Sequence, residues 1–309
     1  MPPSLSPPEP AGSPLPVLAS PRLPSWIRSQ LPRDRYEHVH QQLVQQGLNT
    51  VCREARCPNL GECWSNGTAT LMLLGETCTR RCAFCAVTTR SPQGRVDGTE
   101  PARVAEAVRS WGLRYVVLTQ VCRDDLPDQG AGHLADTIRA IHRASPGTRV
   151  EILAGDLGGD REALRMVLRA RPEVFAHNLE TVRRLSRSVR DRRADHDRSL
   201  RLLGWAKETD PPAGVTKSSL MLGLGEELSE VEVAMRELRA QGVDLLTLGQ
   251  YLRPGARGFA PVARYVPPEE FGRLRALALE AGFRGVESGP MVRSSYRADE
   301  LYEQAHPLV

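Results

Sequence analysis

The chain has 309 residues and a mass of 34.1 kDa, enough for one large domain or two small ones. Its 41 basic and 37 acidic residues leave a net charge of +4, which is too small and too scattered to indicate a nucleic-acid-binding surface. The apolar runs are shorter than a membrane-spanning helix needs, so we expect no membrane partner.

Two segments precede the part of the chain in which apolar runs and helical segments alternate. Residues 1–33 are rich in proline and lack both the arginine-rich pattern of a transit peptide and the apolar core of a secretory signal. We therefore predict a disordered leader on a cytoplasmic protein. Residues 34–68 are predicted to form an N-terminal extension, with a helix over 34–47 that ends at a glycine suited to a C-cap.

From residue 69 to 265, short apolar runs alternate with helix-period segments at intervals of about thirty residues, the length of a βαβ crossover. Strands that are apolar on both faces predict a parallel sheet covered by helices. A doubly wound sheet and a barrel or partial barrel both fit this period. A C-terminal helix and tail are predicted over 266–309. The six predicted strands are residues 70–75, 115–121, 150–155, 174–180, 218–225 and 245–252.

Three cysteines follow the first predicted strand with C-x3-C-x2-C spacing, namely Cys78, Cys82 and Cys85 in CTRRCAFC. Three thiolates on one tight loop suit a four-iron cluster whose remaining iron is open to a small chelating molecule. The triplet resembles the motif of the radical S-adenosylmethionine superfamily, in which the reduced cluster cleaves S-adenosylmethionine to a 5′-deoxyadenosyl radical. Zinc is the alternative, but it prefers four ligands, and no further Cys or His follows closely in the sequence.

A second triplet, Cys52, Cys57 and Cys63, has C-x4-C-x5-C spacing, which is not a zinc-finger pattern. We interpret it as the binding site of a second cluster, with structural zinc as the alternative. Three cysteines again lack a fourth ligand, which must come from elsewhere in the chain or be absent.

With both triplets present, the chain resembles the lipoyl synthase family from about residue 24 to its C-terminus. The segments that carry the resemblance include GLNTVCREARCPNLGECW, CTRRCAFCAV, RDDLPDQGAGH and SGPMVRSSYRA. It implies an α/β fold, a partial (β/α)6 TIM-like barrel with N- and C-terminal extensions that carry an auxiliary cluster. It also implies that Ser295, the second serine of RSSY, ligates that cluster together with Cys52, Cys57 and Cys63. Without the resemblance, Ser295 reads as a surface-loop serine.

The reaction implied by the resemblance is the insertion of two sulfur atoms at C6 and C8 of an octanoyl chain on a carrier-protein lysine. The implied cofactors are S-adenosylmethionine and two 4Fe-4S clusters, with the auxiliary cluster as the sulfur donor. The expected partners are an octanoylated lipoyl carrier protein (the glycine-cleavage H protein or a dehydrogenase E2 lipoyl domain), an electron donor such as ferredoxin or flavodoxin, and a cluster-repair carrier. The alternatives are a biotin-synthase-like sulfurtransferase and a non-enzymatic cluster-binding regulator.

Polar residues at the predicted strand ends and in the tail are candidate contacts for S-adenosylmethionine. Glu180 is preferred, because a buried carboxylate needs a partner. For each candidate, the alternative is an ordinary hydrogen bond at a strand end. Cys122, at a position often occupied by Asp in the family, is interpreted as a small buried residue. The candidates are Thr119, Arg123, Asn178, Glu180, Lys217 and Arg293.

Overall fold

The computed structural model describes residues 22–27, 41, 47–50, 59 and 70–305. The predicted leader and the predicted helix over 34–47 therefore lie almost wholly outside the described residues. The three cysteines of the second triplet, Cys52, Cys57 and Cys63, also lie outside them.

One twisted sheet organises the described part of the chain, with β1 antiparallel to β2 and every later pair of neighbours parallel. A separate ribbon pairs β3 (Thr77–Cys78) with β4 (Thr88–Thr89). The main sheet has the spatial order β1 (Asn49–Thr50), β2 (Thr70–Leu73), β5 (Tyr115–Gln120), β6 (Arg149–Leu153), β7 (Val174–Ala176), β8 (Val215–Leu222), β9 (Leu245–Gln250) and β10 (Gly285–Gly289).

The predicted class, a partial α/β barrel, is confirmed, and all six predicted strands are present. Strand β10 is an addition, because it pairs with β9 from Gly285↔Leu245 to Gly289↔Gly249 and makes a seventh parallel strand. Its sequence, GVESG, offers one large apolar residue and no clear alternation, so the apolar pattern does not reveal it.

Helices follow the strands and cover the sheet. Helix α2 buries Leu134, Ile138 and Ile141, whose spacing places them on one face. The helices are α1 (Glu100–Ser110), α2 (Ala131–Ala144), α3 (Arg161–Leu168), α4 (Arg183–Val189), α5 (His196–Glu208), α6 (Leu228–Ala240), α7 (Pro268–Glu280) and α8 (Ala298–Ala305), with a 3-10 turn at Leu157–Gly159. Within the described part of the chain, no helix combines the length and apolarity that a membrane crossing needs.

Helix α8 covers the amino-terminal ends of the strands. Leu301 and Ala305 pack against Val174, Val215 and Leu245, the first residues of β7, β8 and β9. The loops at the opposite, carboxyl ends of the strands are therefore the ones left to build a site, as is usual for parallel barrels.

Lys217 lies near the amino-terminal end of β8, and its side chain forms a buried ion pair with Glu151 of β6. Its Nζ lies 2.8 and 3.1 Å from the two carboxylate oxygens of Glu151, and the Tyr115 hydroxyl donates to the same carboxylate at 2.8 Å. Both charged side chains are only 1% exposed. A buried charge needs a close partner. The Lys217 ammonium therefore stays paired with the Glu151 carboxylate and does not reach a ligand at the other end of the barrel.

Candidate functional site

A cavity of about 480 Å³ lies at the carboxyl ends of the strands. Its wall contains all three cysteines of CTRRCAFC and also Ser295 from the C-terminal tail. The fold thus brings together residues more than two hundred positions apart in the sequence. Much of the remaining wall is apolar, with side chains suited to an aliphatic chain: Met72, Phe84, Leu153, Met221, Leu252 and Val292.

Backbone N–H groups point at two of the cysteine sulfurs. Those of Arg80 and Cys122 donate to Sγ of Cys78 at 3.4 and 3.3 Å, and that of Asp191 donates to Sγ of Cys82 at 3.3 Å. Such donors stabilise negative charge on sulfur and recur around iron–sulfur clusters. Cys78 and Cys82 therefore have the hydrogen-bond donors that stabilise thiolate ligands.

The pKa values of the three thiols differ for identifiable reasons. A hydrogen bond from the Cys122 side chain, helped by the two backbone donors, lowers the pKa of Cys78 to about 6. Burial raises the pKa of Cys82 to about 12 and that of Cys85 to about 11. A coordinating metal deprotonates its thiol ligands outright. The raised pKa values of Cys82 and Cys85 in the absence of iron therefore do not prevent these cysteines from acting as ligands.

The donor set fits an iron–sulfur cluster. The described residues contain no group of three His, Cys, Asp or Glu side chains that converges on one metal ion. A four-iron cluster requires something else, namely thiolates spread around its corners. Cys78, Cys82 and Cys85 supply three such thiols on one loop, and the cavity they face leaves room for a further ligand.

Arg80, between the first two cysteines, anchors their loop. Its guanidinium donates to Asp124 Oδ1 at 2.8 Å and to Asp156 Oδ1 at 2.7 Å, in the segments after β5 and β6. Burial alone would raise the pKa of Asp156, but the hydrogen bond and charge of Arg80 outweigh it and lower the pKa to about 2. This ion-pair network fixes the cluster loop to two neighbouring strands.

The anchoring network predicts a pH dependence of stability. A carboxyl group whose pKa falls from 3.8 to about 2 on folding contributes about 2 kcal/mol to the free energy of unfolding. Because the folded pKa is the lower one, this contribution is present above about pH 4 and is lost as the pH falls towards 2. We therefore expect Asp156→Asn to be less stable at neutral pH and to lose about 2 kcal/mol less than the parent chain between pH 5 and 2.

Urea unfolding of the cluster-free chain at a series of pH values measures this difference. Asp136→Asn is the matched control, because Asp136 is exposed on helix α2. Equal acid losses for Asp156→Asn and the parent chain would contradict the assigned role of Asp156.

Four of the six candidate S-adenosylmethionine contacts line the cavity: Thr119, Asn178, Glu180 and Arg293. Glu180 has a left-handed backbone, with φ of 69°, and its N–H and C=O both bond to strand β8. Burial raises the pKa of its carboxyl group, against the opposing charge of Arg190 and a hydrogen bond from Asn178. A half-buried carboxylate held in this way is available to a ligand donor.

The other two candidates, Arg123 and Lys217, do not line the cavity. Arg123 is 1% exposed, and its guanidinium donates to the Asp125 carboxylate and, at 2.7 Å, to the Arg95 carbonyl oxygen. Lys217 is paired with Glu151 at the other end of the barrel. Both cations are engaged by carboxylates, so the structure gives no support to these two candidate contacts.

Gln120 and Cys122, which were not among the candidate ligands or S-adenosylmethionine contacts, also line the cavity. Gln120 follows Thr119 at the end of β5, and its buried Oε1 has no hydrogen-bond partner among the described residues. Cys122 is half-buried rather than buried. Its backbone N–H and its thiol both donate hydrogen bonds to the sulfur of Cys78. Position at a strand end was the available signal for Gln120, and no sequence signal indicated the contact of Cys122.

Comparisons with known proteins agree with this geometry. The model of the radical SAM superfamily matches residues 72–238. The chain is 57% identical to a lipoyl synthase from Thermus thermophilus, over 91% of this chain and 87% of the relative. It is 53% identical to a lipoyl synthase from Pyrobaculum calidifontis, over 91% of this chain and 96% of the relative.

Solved structures resemble the fold at low sequence identity. The FeFe-hydrogenase maturase HydG from Carboxydothermus hydrogenoformans aligns with a TM-score of 0.56 at 14% identity, over 81% of this chain and 64% of that one. Methylornithine synthase aligns with a TM-score of 0.50 at 15% identity, over 82% and 79% of the two chains. At this identity, the likeness bears on the fold alone.

Proposed function

The chain belongs to the lipoyl synthase family of the radical S-adenosylmethionine superfamily, and from that premise we propose how its cavity serves the family reaction. The enzyme inserts two sulfur atoms at C6 and C8 of a protein-bound octanoyl-lysine. Its cofactors are S-adenosylmethionine and two 4Fe-4S clusters. When bound, one cluster supplies the electron that cleaves S-adenosylmethionine, and the auxiliary cluster supplies the sulfur.

Cys78, Cys82 and Cys85 are proposed to hold the radical-generating cluster. Ser295 is proposed to complete the auxiliary site with Cys52, Cys57 and Cys63. The observation that carries this proposal is the lining of one cavity by the first triplet and by Ser295. Sulfur insertion at an unactivated carbon requires that a hydrogen abstractor and a sulfur source both reach the same alkyl chain. A cavity that both sites share meets that requirement.

The polar side chains of the cavity are proposed to orient S-adenosylmethionine. The Glu180 carboxylate accepts from the ligand's ammonium or ribose hydroxyls, and Arg293 donates to its carboxylate. Thr119, Asn178 and the amide of Gln120 supply further hydrogen-bonding groups at the strand ends. The apolar wall receives the octanoyl chain and excludes water from it, which favours radical chemistry over side reactions.

The enzyme acts on lipoyl-domain proteins. We propose the glycine-cleavage H protein or a dehydrogenase E2 lipoyl domain as the carrier, and ferredoxin or flavodoxin as the electron donor. A cluster-repair carrier is needed because each product consumes sulfide. We further propose a cytoplasmic location and four segments: a leader over 1–33, an extension over 34–68, a barrel over 69–265 and a tail region over 266–309.

A substrate-dependence assay tests the proposed function. The reconstituted enzyme is given S-adenosylmethionine, dithionite and a peptide that carries octanoyl-lysine, with the same peptide bearing unmodified lysine as the control. We expect 5′-deoxyadenosine release to rise only with the octanoylated peptide, together with a dithiolated product. Equal release with both peptides and no sulfur in the product would favour another sulfurtransferase, and no release at all would favour a cluster-binding regulator.

A further inference from the structure

The tail that carries Ser295 folds back over the end of strand β9. Gly249 and Gly289 face each other in the last register pair of β9 and β10. The chain turns immediately afterwards, where the Val292 N–H donates to the Gly289 carbonyl oxygen at 3.1 Å. Val292 and the next three residues then enter the cavity wall. The path of the tail over this glycine pair therefore decides where Ser295 lies.

Gly249 leaves no room for a side chain. A Cβ at this position would lie 2.1 Å from the Val292 carbonyl oxygen and 3.0 Å from its carbonyl carbon. These are backbone atoms, so the clash is relieved only by moving the tail. Gly249 is outside the set of residues with positive φ, so its backbone conformation does not require glycine. The close approach of the tail is the remaining reason for glycine at this position.

Gly289 provides the contrast on the partner strand. A Cβ there would lie 3.5 Å from Cγ2 of Val292, an ordinary van der Waals distance to a side chain. Gly289 is likewise outside the positive-φ set. Two glycines in one register pair thus differ in a single respect, namely whether the tail backbone occupies the space of a side chain.

Asn59 holds the same tail through a second contact. Its side chain is buried, and Nδ2 donates to the Met291 carbonyl oxygen at 2.5 Å, four residues before Ser295. Asn59 stands between Cys57 and Cys63 in the sequence. Removal of the donor leaves the Met291 carbonyl oxygen without this partner, so the tail loses one of the contacts that hold it.

We propose that Gly249 and Asn59 are positioning residues for Ser295. Gly249 sets how closely the tail approaches the barrel, and Asn59 ties the tail to the N-terminal extension. This inference rests on the proposed role of Ser295 as a ligand of the auxiliary cluster. It assigns to two residues outside the ligand set the task of keeping that ligand in place, as residues surrounding a metal site commonly do.

A chelator challenge tests the proposal without relying on turnover. In a Cys82→Ala background, the iron that remains after reconstitution belongs to the auxiliary cluster, so its release to a ferrous chelator reports on that site alone. We expect Gly249→Ala and Asn59→Ala each to release this iron about tenfold faster or more, the scale seen when residues that support metal ligands are changed. Gly289→Ala and Asn49→Ala, a change in β1, should release it at the background rate.

The outcomes separate the inference from the function on which it rests. If Ser295→Ala leaves iron release unchanged in this background, the proposed ligand role of Ser295 fails, and the inference fails with it. If Ser295→Ala speeds release but Gly249→Ala and Asn59→Ala do not, only the positioning proposal is overturned. The thermal unfolding midpoint of each variant should stay near that of its parent chain. A fall in this midpoint in both variants, in parallel with the faster iron release, would mean general destabilisation and would also overturn the proposal. If Gly249→Ala does not fold, the comparison of Asn59→Ala with its control Asn49→Ala tests the proposal instead.

Discussion

Alanine in place of Cys82 is expected to remove one cluster and all radical chemistry. Two four-iron clusters give about eight irons per chain, and loss of one leaves about four. Cys82 lies in the cavity wall, and its sulfur accepts a hydrogen bond from the Asp191 N–H. Iron and sulfide analysis after anaerobic reconstitution should show the halved content, and 5′-deoxyadenosine release should fall below detection.

Cys122→Ala is the matched control for this experiment. Cys122 lines the same cavity and contacts Cys78, but it stands outside the C-x3-C-x2-C motif. The Cys122→Ala variant should keep about eight irons and continue to cleave S-adenosylmethionine. A Cys82→Ala chain with full iron content and normal cleavage would refute the assignment of the radical site, as would halved iron in Cys122→Ala.

Replacing Ser295 with alanine is expected to separate radical formation from sulfur insertion. The radical site consists of Cys78, Cys82 and Cys85, so 5′-deoxyadenosine should still form. The auxiliary site would lose its one oxygen ligand, a harder partner for iron than thiolate. Product formation should therefore fall to background while cleavage of S-adenosylmethionine persists. Quantifying both products in the same reaction gives the ratio directly.

Ser294→Ala serves as the control for Ser295→Ala. Both serines lie in the cavity wall, one position apart, and both changes remove one hydroxyl group. The ratio of dithiolated product to 5′-deoxyadenosine should be unchanged in Ser294→Ala and near zero in Ser295→Ala. If the two variants behave alike, Ser295 has no special role and the auxiliary site needs another fourth ligand.

The sequence predicted the barrel better than it predicted the tail. Strands β2 and β5 to β9 are apolar on both faces, as parallel strands between two layers must be, and each was visible as an apolar run. Strand β10 was missed, because its sequence, GVESG, has one large apolar residue between two terminal glycines and shows no apolar run. That omission concealed how the tail returns to the cavity.

The same distinction holds within the site. The spacing of Cys78, Cys82 and Cys85 is a local property, so one stretch of sequence was enough to propose a cluster. Arg123 and Lys217 lie outside the cavity wall, because each cation pairs with a carboxylate partner, which for Arg123 is Asp125. For Lys217 that partner is Glu151, 66 residues away in the sequence.

Ser295 is indicated by the family resemblance and by no local sequence pattern of its own. The structure supplies what the pattern lacked, since strand β10 and the turn at Gly289 carry the RSSY tail to the cavity wall. Its proposed role therefore depends on a long-range arrangement that no local motif encodes.

The cavity is proposed to join a radical site to a second site that gives up its own sulfur. The most direct measurement is a single-turnover reaction with enzyme reconstituted with isotopically heavy sulfide and an octanoyl-lysine peptide, analysed by mass spectrometry of the product. We expect a dithiolated peptide in which both sulfur atoms are heavy. A product with light sulfur, or 5′-deoxyadenosine release without any sulfur transfer, would contradict it.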